Sequence, residues 1–265
     1  MQSTLPLPEA EALAHSDQLA SALRDEIRAQ GGAIPFSRFM ELCLYTPGWG
    51  YYSAGASKFG ASGDFTTAPE MGGLFAATVA NALAPVFAQL GPDARMLELG
   101  GGSGAFAEAV LLRLAELQAL PARYAILEPS ADLRERQQQR LQQNLPVELA
   151  GRVEWLDRPF DDDWKGVVFA NEVIDALPTP RFVIAAGEVY EETVTLDADG
   201  GFARGMQPAD MLLNGAVRHL ERYLDRPFVD GYRSELLPQL PYWLQAVAGG
   251  LQQGALLFVD YGYTR

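Results

Sequence analysis

The chain has 265 residues, of which 48% are hydrophobic, and it carries a formal net charge of −14 and one cysteine. This length allows one large domain or two small ones, and a single cysteine excludes an internal disulfide and fits a reducing compartment. The negative charge would repel a phosphate backbone, so a nucleic-acid substrate is disfavoured. The first residues lack a signal-peptide pattern, and no segment reaches the ~18 apolar residues of a membrane span, so we expect a cytoplasmic protein without membrane insertion.

Helical patterns and one long loop occupy residues 1–90. Ser16 can cap a first helix, and a second helix is predicted to begin at Pro35. A segment rich in glycine, serine, proline and aromatic residues follows, which is too long for an ordinary connection and is interpreted as a functional loop that covers a ligand. Another helix is predicted over about 70–90, with a kink at Pro85.

From residue 91 to the end, apolar strand patterns alternate with helical patterns. The predicted strands are 95–99, 124–127, 153–156, 167–170 and 255–259, and the predicted helices between them include 105–117 and 130–141. Such alternation predicts an α/β fold of the Rossmann type, in which helices cover both faces of a parallel sheet. Within 91–265, residues 181–250 change to a period of two and then to helical segments, which indicates an inserted hairpin and helical lobe.

The first predicted strand ends in a glycine-rich stretch, "LELGGGSGAF". A dinucleotide fingerprint, G-x-G-x-x-A, can be placed on Gly100, Gly102 and Ala105. The methyl-donor pattern E-x-G-x-G-x-G also fits, with Glu98 followed by Gly100, Gly102 and Gly104. A carboxylate at Glu98 would oppose a pyrophosphate, whereas the methionine end of S-adenosylmethionine carries an ammonium and a sulfonium, so electrostatics favours the second pattern.

Further acids follow the next predicted strands, and ligands of parallel α/β sheets bind beyond the carboxyl ends of the strands. Glu128 could accept the ribose hydroxyls that either ligand would supply, and Asp157 could accept an adenine amino group. The alternative for both residues is an exposed acid at a strand end without a ligand-binding role.

Five segments, read in order, resemble one known family: "GDFTTAPEMGGLFA", "LELGGGSGAFAEAVL", "ILEPSADLRERQ", "VFANEVIDALP" and "LLFVDYGY". They resemble the MidA-like family, which includes a mitochondrial complex I assembly methyltransferase, and the resemblance extends from about residue 34 to the end. It implies a Rossmann-like class I methyltransferase fold, S-adenosylmethionine as cofactor with S-adenosylhomocysteine as product, and methylation of a protein arginine. The family pattern continues past "DYGY", so the C-terminal part of the domain is expected to be missing.

The resemblance and the strand-end position together assign acceptor chemistry to Asn171, Glu172 and Asp175. An asparagine carbonyl can align a nitrogen nucleophile, and a carboxylate can hold a guanidinium in a bidentate pair; the alternative is that Asn171 only caps a helix. In the long loop, Gly63 and Asp64 could fold over the donor, with Asp64 on its ammonium, or form an ordinary capped turn. No cluster of cysteine and histidine supports a metal site.

These observations predict a methyltransferase that acts on arginine in a protein substrate, with a respiratory-complex subunit as the candidate partner. A non-catalytic assembly factor that binds S-adenosylmethionine is an alternative from a different class. An NAD-dependent oxidoreductase is less favoured, because no hydride-transfer constellation follows the glycines. The lack of a transit segment favours a bacterial source, and the oligomeric state stays open.

Overall fold

The computed structural model describes residues 8, 10–52 and 68–262. The helices are α1 (Ala10–Ala29), α2 (Phe36–Tyr45), α3 (Gly73–Leu90), α4 (Ala105–Glu116), α5 (Ala131–Asn144), α6 (Val147–Ala150), α7 (Met211–Tyr223) and α8 (Leu240–Ala248), with a 3₁₀ turn at Ala68–Met71. The strands are β1 (Ala33–Pro35), β2 (Arg95–Leu99), β3 (Arg123–Leu127), β4 (Val153–Leu156), β5 (Trp164–Asn171), β6 (Arg181–Ala185), β7 (Glu188–Leu196), β8 (Phe202–Pro208), β9 (Arg233–Glu235) and β10 (Leu251–Val259).

The chain divides into two compact units, each named here after its sheet. The antiparallel unit comprises the described residues of Met1–Ala54 and Leu177–Leu240. The parallel unit comprises the described residues of Gly55–Ala176 and Pro241–Arg265. All of the predicted site residues that the structure describes belong to the parallel unit.

The parallel unit is built on a sheet with the strand order β10-β5-β2-β3-β4, in which every pairing is parallel. Leu99 at the end of β2 lies beside Leu127 on one side and Ala170 on the other. On the next strand, Val259 pairs with Asn171. The carboxyl ends of the strands therefore meet at one edge, as the alternation in the sequence predicts.

Side chains alternate along β2 and divide the core into two layers. Met96 is fully buried in a cluster that also contains Val79 of α3 and Val110 of α4. Leu97 faces the other way and packs in a second cluster with Val247 of α8. Helices thus cover both faces of the sheet, which confirms the predicted layer arrangement and explains why these strands are almost continuously apolar.

Several predicted boundaries agree with the structure, and one predicted cap is wrong. β2 and β4 have the predicted bounds, and Ser130 caps α5 by accepting a hydrogen bond from the N–H of Leu133 at 3.4 Å. Pro85 lies inside α3. Ser16 lies inside α1 and does not cap it, because the helix already begins at Ala10; the preceding stretch "AEALAH" is rich in good helix formers.

α3 is apolar enough to cross a membrane by length and composition alone, contrary to the expectation that no segment is. Its residues Val79, Leu83 and Phe87 pack inside the core of the parallel unit. Because the core helices of globular proteins pass the same test, this finding is weak evidence for a membrane span.

The antiparallel unit contains a sheet in which β1, β7, β6 and β9 are neighbours and β8 pairs with the other edge of β7. The hairpin predicted around residues 197–201 is present between β7 and β8, where the N–H of Asp197 donates to the carbonyl of Gly201 at 2.9 Å. A second tight turn joins β6 to β7 through Ala186 and Gly187, both at positive φ (49° and 76°). The predicted single hairpin is therefore part of a larger sheet.

This sheet joins segments that the sequence separates widely. Ala33 of β1 pairs with Thr195 of β7, so the N-terminal segment and the predicted insertion share one sheet. The predicted boundary at residue 90 falls between α3 and β2, which belong to the same unit. Pairing between distant strands is fixed by edge geometry in three dimensions, and periodicity within one segment carries no signal for it.

Candidate functional site

The turn between β2 and α4 is built on glycines in left-handed backbone conformations. Gly100, Gly102 and Gly104 have φ values of 63°, 54° and 82°. Residues with a Cβ adopt such angles at a cost of roughly 1–2 kcal/mol each, so the fingerprint glycines are required by the path of the chain. Gly104 is the N-cap of α4 and contributes no side-chain cap, so the first N–H groups of that helix face the turn.

Close approach gives a second reason for glycine in this turn. A Cβ on Gly100 would lie 3.0 Å from Cγ2 of Val173, and one on Gly101 would lie 2.9 Å from Cγ2 of Ile126. Gly101 is outside the fingerprint, and sequence reasoning missed it; the run of three glycines was the available signal. The contact with Val173 also places the glycine turn next to the acidic turn that follows β5.

Glu98 lies in the core beneath the glycine turn. Its side chain is 2% exposed, and one carboxyl oxygen accepts a hydrogen bond from the hydroxyl of Tyr124 at 2.8 Å. Burial raises the pKa of Glu98 to about 8, the charge of Glu128 adds to the rise, and the Tyr124 hydroxyl opposes it. The carboxyl group therefore holds a proton at pH 7, so a negative charge at this residue cannot distinguish a sulfonium from a pyrophosphate.

Glu128 at the end of β3 is 4% exposed and is held by the first turn that follows the strand. The N–H of Ser130 donates to one carboxylate oxygen at 2.9 Å, and Nε2 of Gln137 donates to the other at 3.2 Å. Burial raises the pKa of Glu128, while these two hydrogen bonds, the charge of Arg134 and the backbone of Gly102 lower it. The carboxylate is fixed in position, as recognition of a sugar hydroxyl requires.

Asp157 lies at the outer strand end of the sheet and is exposed to solvent. Its side chain is 89% exposed and forms a salt bridge with Arg134 at 2.8 Å. Arg134 also donates to the carbonyl oxygens of Glu128 and Leu156 at 3.1 and 3.0 Å. These contacts tie α5 to the ends of β3 and β4, a role for Arg134 that the sequence did not indicate.

The second group of predicted residues follows β5. Asn171 has a buried carbonyl oxygen without a hydrogen-bond partner in the described part of the chain, and its side chain hydrogen-bonds Glu172. Glu172 has a positive φ of 51°, and its N–H donates to the carbonyl of Val259 at 2.8 Å. Burial and the charges of Asp175 and Asp260 raise the pKa of Glu172. Glu172 and Asp175 therefore share one negative cluster.

Asp260, at the end of β10, holds this acidic turn in place. Its carboxylate accepts hydrogen bonds from the backbone N–H groups of Ile174 and Asp175 at 3.1 and 3.3 Å. The neighbouring Tyr261 hydrogen-bonds the side chain of Asp175, and that bond, burial and the surrounding carboxylates raise the pKa of Tyr261 to about 12. A long stretch of chain separates these residues from Asp175, so only the pairing of β10 with β5 reveals the contact.

Two predicted residues, Gly63 and Asp64, lie outside the described residues. The nearest described part of the same motif is the 3₁₀ turn, where Glu70 accepts a hydrogen bond from the hydroxyl of Ser103 in the glycine turn. The motif that follows Asp64 thus contacts the glycine turn. Among the residues that the structure describes, no group of three or more histidine, cysteine or acidic side chains could hold a metal ion.

Comparison with solved structures defines the class of protein. A crystal structure from Burkholderia thailandensis, bound to S-adenosyl-homocysteine, is 39% identical in sequence with a TM-score of 0.87 and covers 98% of this chain and 66% of its own. The parallel sheet, the glycine turn and this likeness define a Rossmann-like class I methyltransferase fold.

Residues 78–265 match the family described as "Putative S-adenosyl-L-methionine-dependent methyltransferase". The chain belongs to this family, whose cofactor is S-adenosylmethionine. The resemblance to the MidA-like methyltransferases is confirmed.

Two curated relatives are named "Protein arginine methyltransferase NDUFAF7 homolog, mitochondrial". The Drosophila melanogaster protein is 30% identical over 73% of this chain, and the Caenorhabditis elegans protein is 28% identical over 70%. The matched regions cover 49% and 48% of those proteins. The chain therefore spans about half the length of the curated relatives it matches.

Proposed function

We propose that this chain binds S-adenosylmethionine at the edge formed by the ends of β2 and β3 and contributes to methyl transfer. The observation that carries the proposal is the glycine turn, whose three fingerprint glycines are all left-handed and lie beside the fixed carboxylate of Glu128. The bare backbone lets a ligand approach the N-terminus of α4, where backbone N–H groups and the helix dipole suit its carboxylate. Glu128 then accepts a ribose hydroxyl.

The methyl group is transferred in this proposal to a nitrogen of a positively charged protein side chain, and we assign that nitrogen to an arginine guanidinium. Glu172, Asp175 and Asp260 place three carboxylates next to the glycine turn, and such a cluster attracts and orients a guanidinium. The names of the two curated relatives support the same choice. A respiratory-complex subunit is the candidate substrate, as the resemblance to the MidA-like family implies.

The main task of the protein in methyl transfer is to position the reacting groups. In an in-line displacement, a bond forms between the acceptor nitrogen and the methyl carbon while the bond from that carbon to sulfur breaks. The donor supplies an activated methyl group, so the residues of this chain have to align the nitrogen and receive its released proton. The buried carbonyl oxygen of Asn171 can accept a hydrogen bond from the nitrogen, and Glu172 with its raised pKa can take up the proton.

Calorimetric titration tests donor binding directly. We expect saturable, one-site binding of S-adenosylhomocysteine and S-adenosylmethionine, and no binding of NAD at the same concentrations. Tight NAD binding without binding of either sulfur compound would contradict the proposal and revive the oxidoreductase alternative.

Mass spectrometry of candidate substrates tests the acceptor. Incubation with S-adenosylmethionine should add methyl groups to arginine, and Glu172→Gln should reduce the rate by roughly 100-fold or more, within the range that positioned acid–base groups contribute. Glu148→Gln, at an exposed residue of α6, is the matched control and should leave the rate unchanged. Donor binding without any methylated product would favour the assembly-factor alternative.

A further inference from the structure

Gln137, in the middle of α5, is a fully buried polar residue to which the fingerprint assigns no role. Its Nε2 donates to the carbonyl oxygen of Gly102 at 2.9 Å and to Oε2 of Glu128 at 3.2 Å. Its Oε1 accepts a hydrogen bond from the indole N–H of Trp155 at 2.9 Å. One amide thus connects the glycine turn, the strand-end carboxylate and β4.

These three partners determine the orientation of the amide. The flipped orientation would place Oε1 against the oxygens of Gly102 and Glu128, and Nε2 against the donor of Trp155. A glutamate at this position would meet the same two oxygens with its own negative charge. Glutamine therefore fits this position because it donates on one side and accepts on the other.

Gln137 also supports the glycine turn sterically. A Cβ on Gly101 would lie 3.0 Å from Nε2 of Gln137, and one on Gly104 would lie 3.4 Å from its Cα. The glycine turn therefore packs directly against Gln137. Any displacement of Gln137 would move Gly102 and Glu128 together.

We propose that Gln137 is a positioning residue for the methyl donor, which keeps the glycine turn and the carboxylate of Glu128 in the one spacing that binds both ends of S-adenosylmethionine. The inference rests on the proposed function and deepens it. Gln137 acts through Gly102 and Glu128, so its removal should weaken ligand binding. The loss should be smaller in a variant without Glu128, where only the part that acts through Gly102 is left to lose.

The pH dependence of binding gives a second signature. The hydrogen bond from Gln137 favours the charged carboxylate of Glu128, against the effect of burial. The charge of Arg134 on α5 also acts on Glu128, and Glu98 on β2 is the other titratable group beside it, neutral over the acid range. Without Gln137, Glu128 should take up its proton at higher pH, and the acid limb of ligand binding should shift to higher pH.

A double-mutant cycle on the full chain tests this, with S-adenosylhomocysteine as the probe and calorimetry as the readout. Gln137→Met keeps the length of the side chain and removes its hydrogen bonds; it should raise the Kd roughly tenfold, the loss expected for hydrogen bonds to a charged group. In the Glu128→Ala background, the same substitution should raise the Kd by a clearly smaller factor. Gln139→Met, at an exposed residue of the same helix, is the matched control and should bind like the wild type.

Trp155→Phe is a second variant that tests the same inference if Gln137→Met does not fold. It removes only the donor to Oε1, so it should raise the Kd by a smaller factor, and by less again in the absence of Glu128. Wild-type affinity of folded variants at every pH, or equal losses with and without Glu128, would overturn the inference. Failure of the wild-type chain to bind S-adenosylhomocysteine would overturn the proposed function, and the role of Gln137 with it.

Discussion

Glu98 shows most clearly how burial changes the meaning of a residue in a motif. The sequence places an acid before the glycines, and its charge was the reason to favour a cationic ligand. In the fold, the period of the strand turns Glu98 toward the core, where Tyr124 is its hydrogen-bond donor. At neutral pH the group is then a neutral acid that helps to fix β2 against β3.

The raised pKa of Glu98 predicts that stability falls as pH rises. Between the ordinary value of 4.5 and about 8, the folded chain holds a proton that the unfolded chain has lost, so the free energy of unfolding decreases through this window. Glu98→Gln removes that dependence. From pH 5 to pH 8, the stability of the variant relative to the wild type should rise by on the order of 2–3 kcal/mol, measured by urea denaturation.

Glu148→Gln serves as the control for this experiment, because Glu148 is exposed on α6. It should follow the wild type at both pH values. The same pH dependence in Glu98→Gln and in the wild type would show that Glu98 is charged in the folded protein.

At the scale of elements, the glycine turn joins β2 to α4 only because its backbone is left-handed at three positions. Gly104→Ala keeps the helix but forces a Cβ into φ 82°. We expect a loss of about 1–2 kcal/mol in the free energy of unfolding, together with weaker binding of S-adenosylhomocysteine. Gly73→Ala at the start of α3 is the matched control, since a Cβ there meets nothing within 4 Å, and it should not lower stability.

Asp260, directly after β10, accepts two backbone hydrogen bonds from the acidic turn that follows β5. Asp260→Ala removes the acceptor of the N–H groups of Ile174 and Asp175. Amide hydrogen exchange should therefore become faster at these two residues, by roughly 5- to 10-fold if each bond contributes about 1 kcal/mol. Exchange at Leu97 in β2 is the internal reference; unchanged rates at Ile174 and Asp175 would show that Asp260 does not restrain the turn.

At the scale of the whole molecule, ligand binding should appear as thermal stabilisation. A ligand at 100 times its Kd adds about 2.7 kcal/mol to the stability of the state that binds it. For a chain of this size, that corresponds to a rise in Tm of roughly 5–10 °C. S-adenosylhomocysteine should produce this shift in a thermal scan, equimolar NAD should not, and a shift that persists in Glu128→Ala would place the ligand elsewhere.

Local patterns in the sequence predicted the strands and the layer arrangement of the parallel unit. Apolar runs and helical periodicity predicted β2, β4 and α5, and the glycine fingerprint fell on the three left-handed positions of the turn, Gly100, Gly102 and Gly104. These features depend on backbone angles and on periods of two and 3.6, which are properties of short segments. The family resemblance followed from the same short motifs.

Contacts between distant segments were decided by the tertiary structure. Pairing of β1 with β7 joined the N-terminal segment and the predicted insertion in one unit, although they are far apart in the sequence. Pairing of β10 with β5 brought Asp260 to the acidic turn. Packing of α5 against the glycine turn gave Gln137 its partners, and burial neutralised Glu98. Side-chain partners and solvent exposure depend on residues that meet only after folding. The sequence motifs therefore located the candidate site residues, whereas their hydrogen bonds and protonation states were determined by packing.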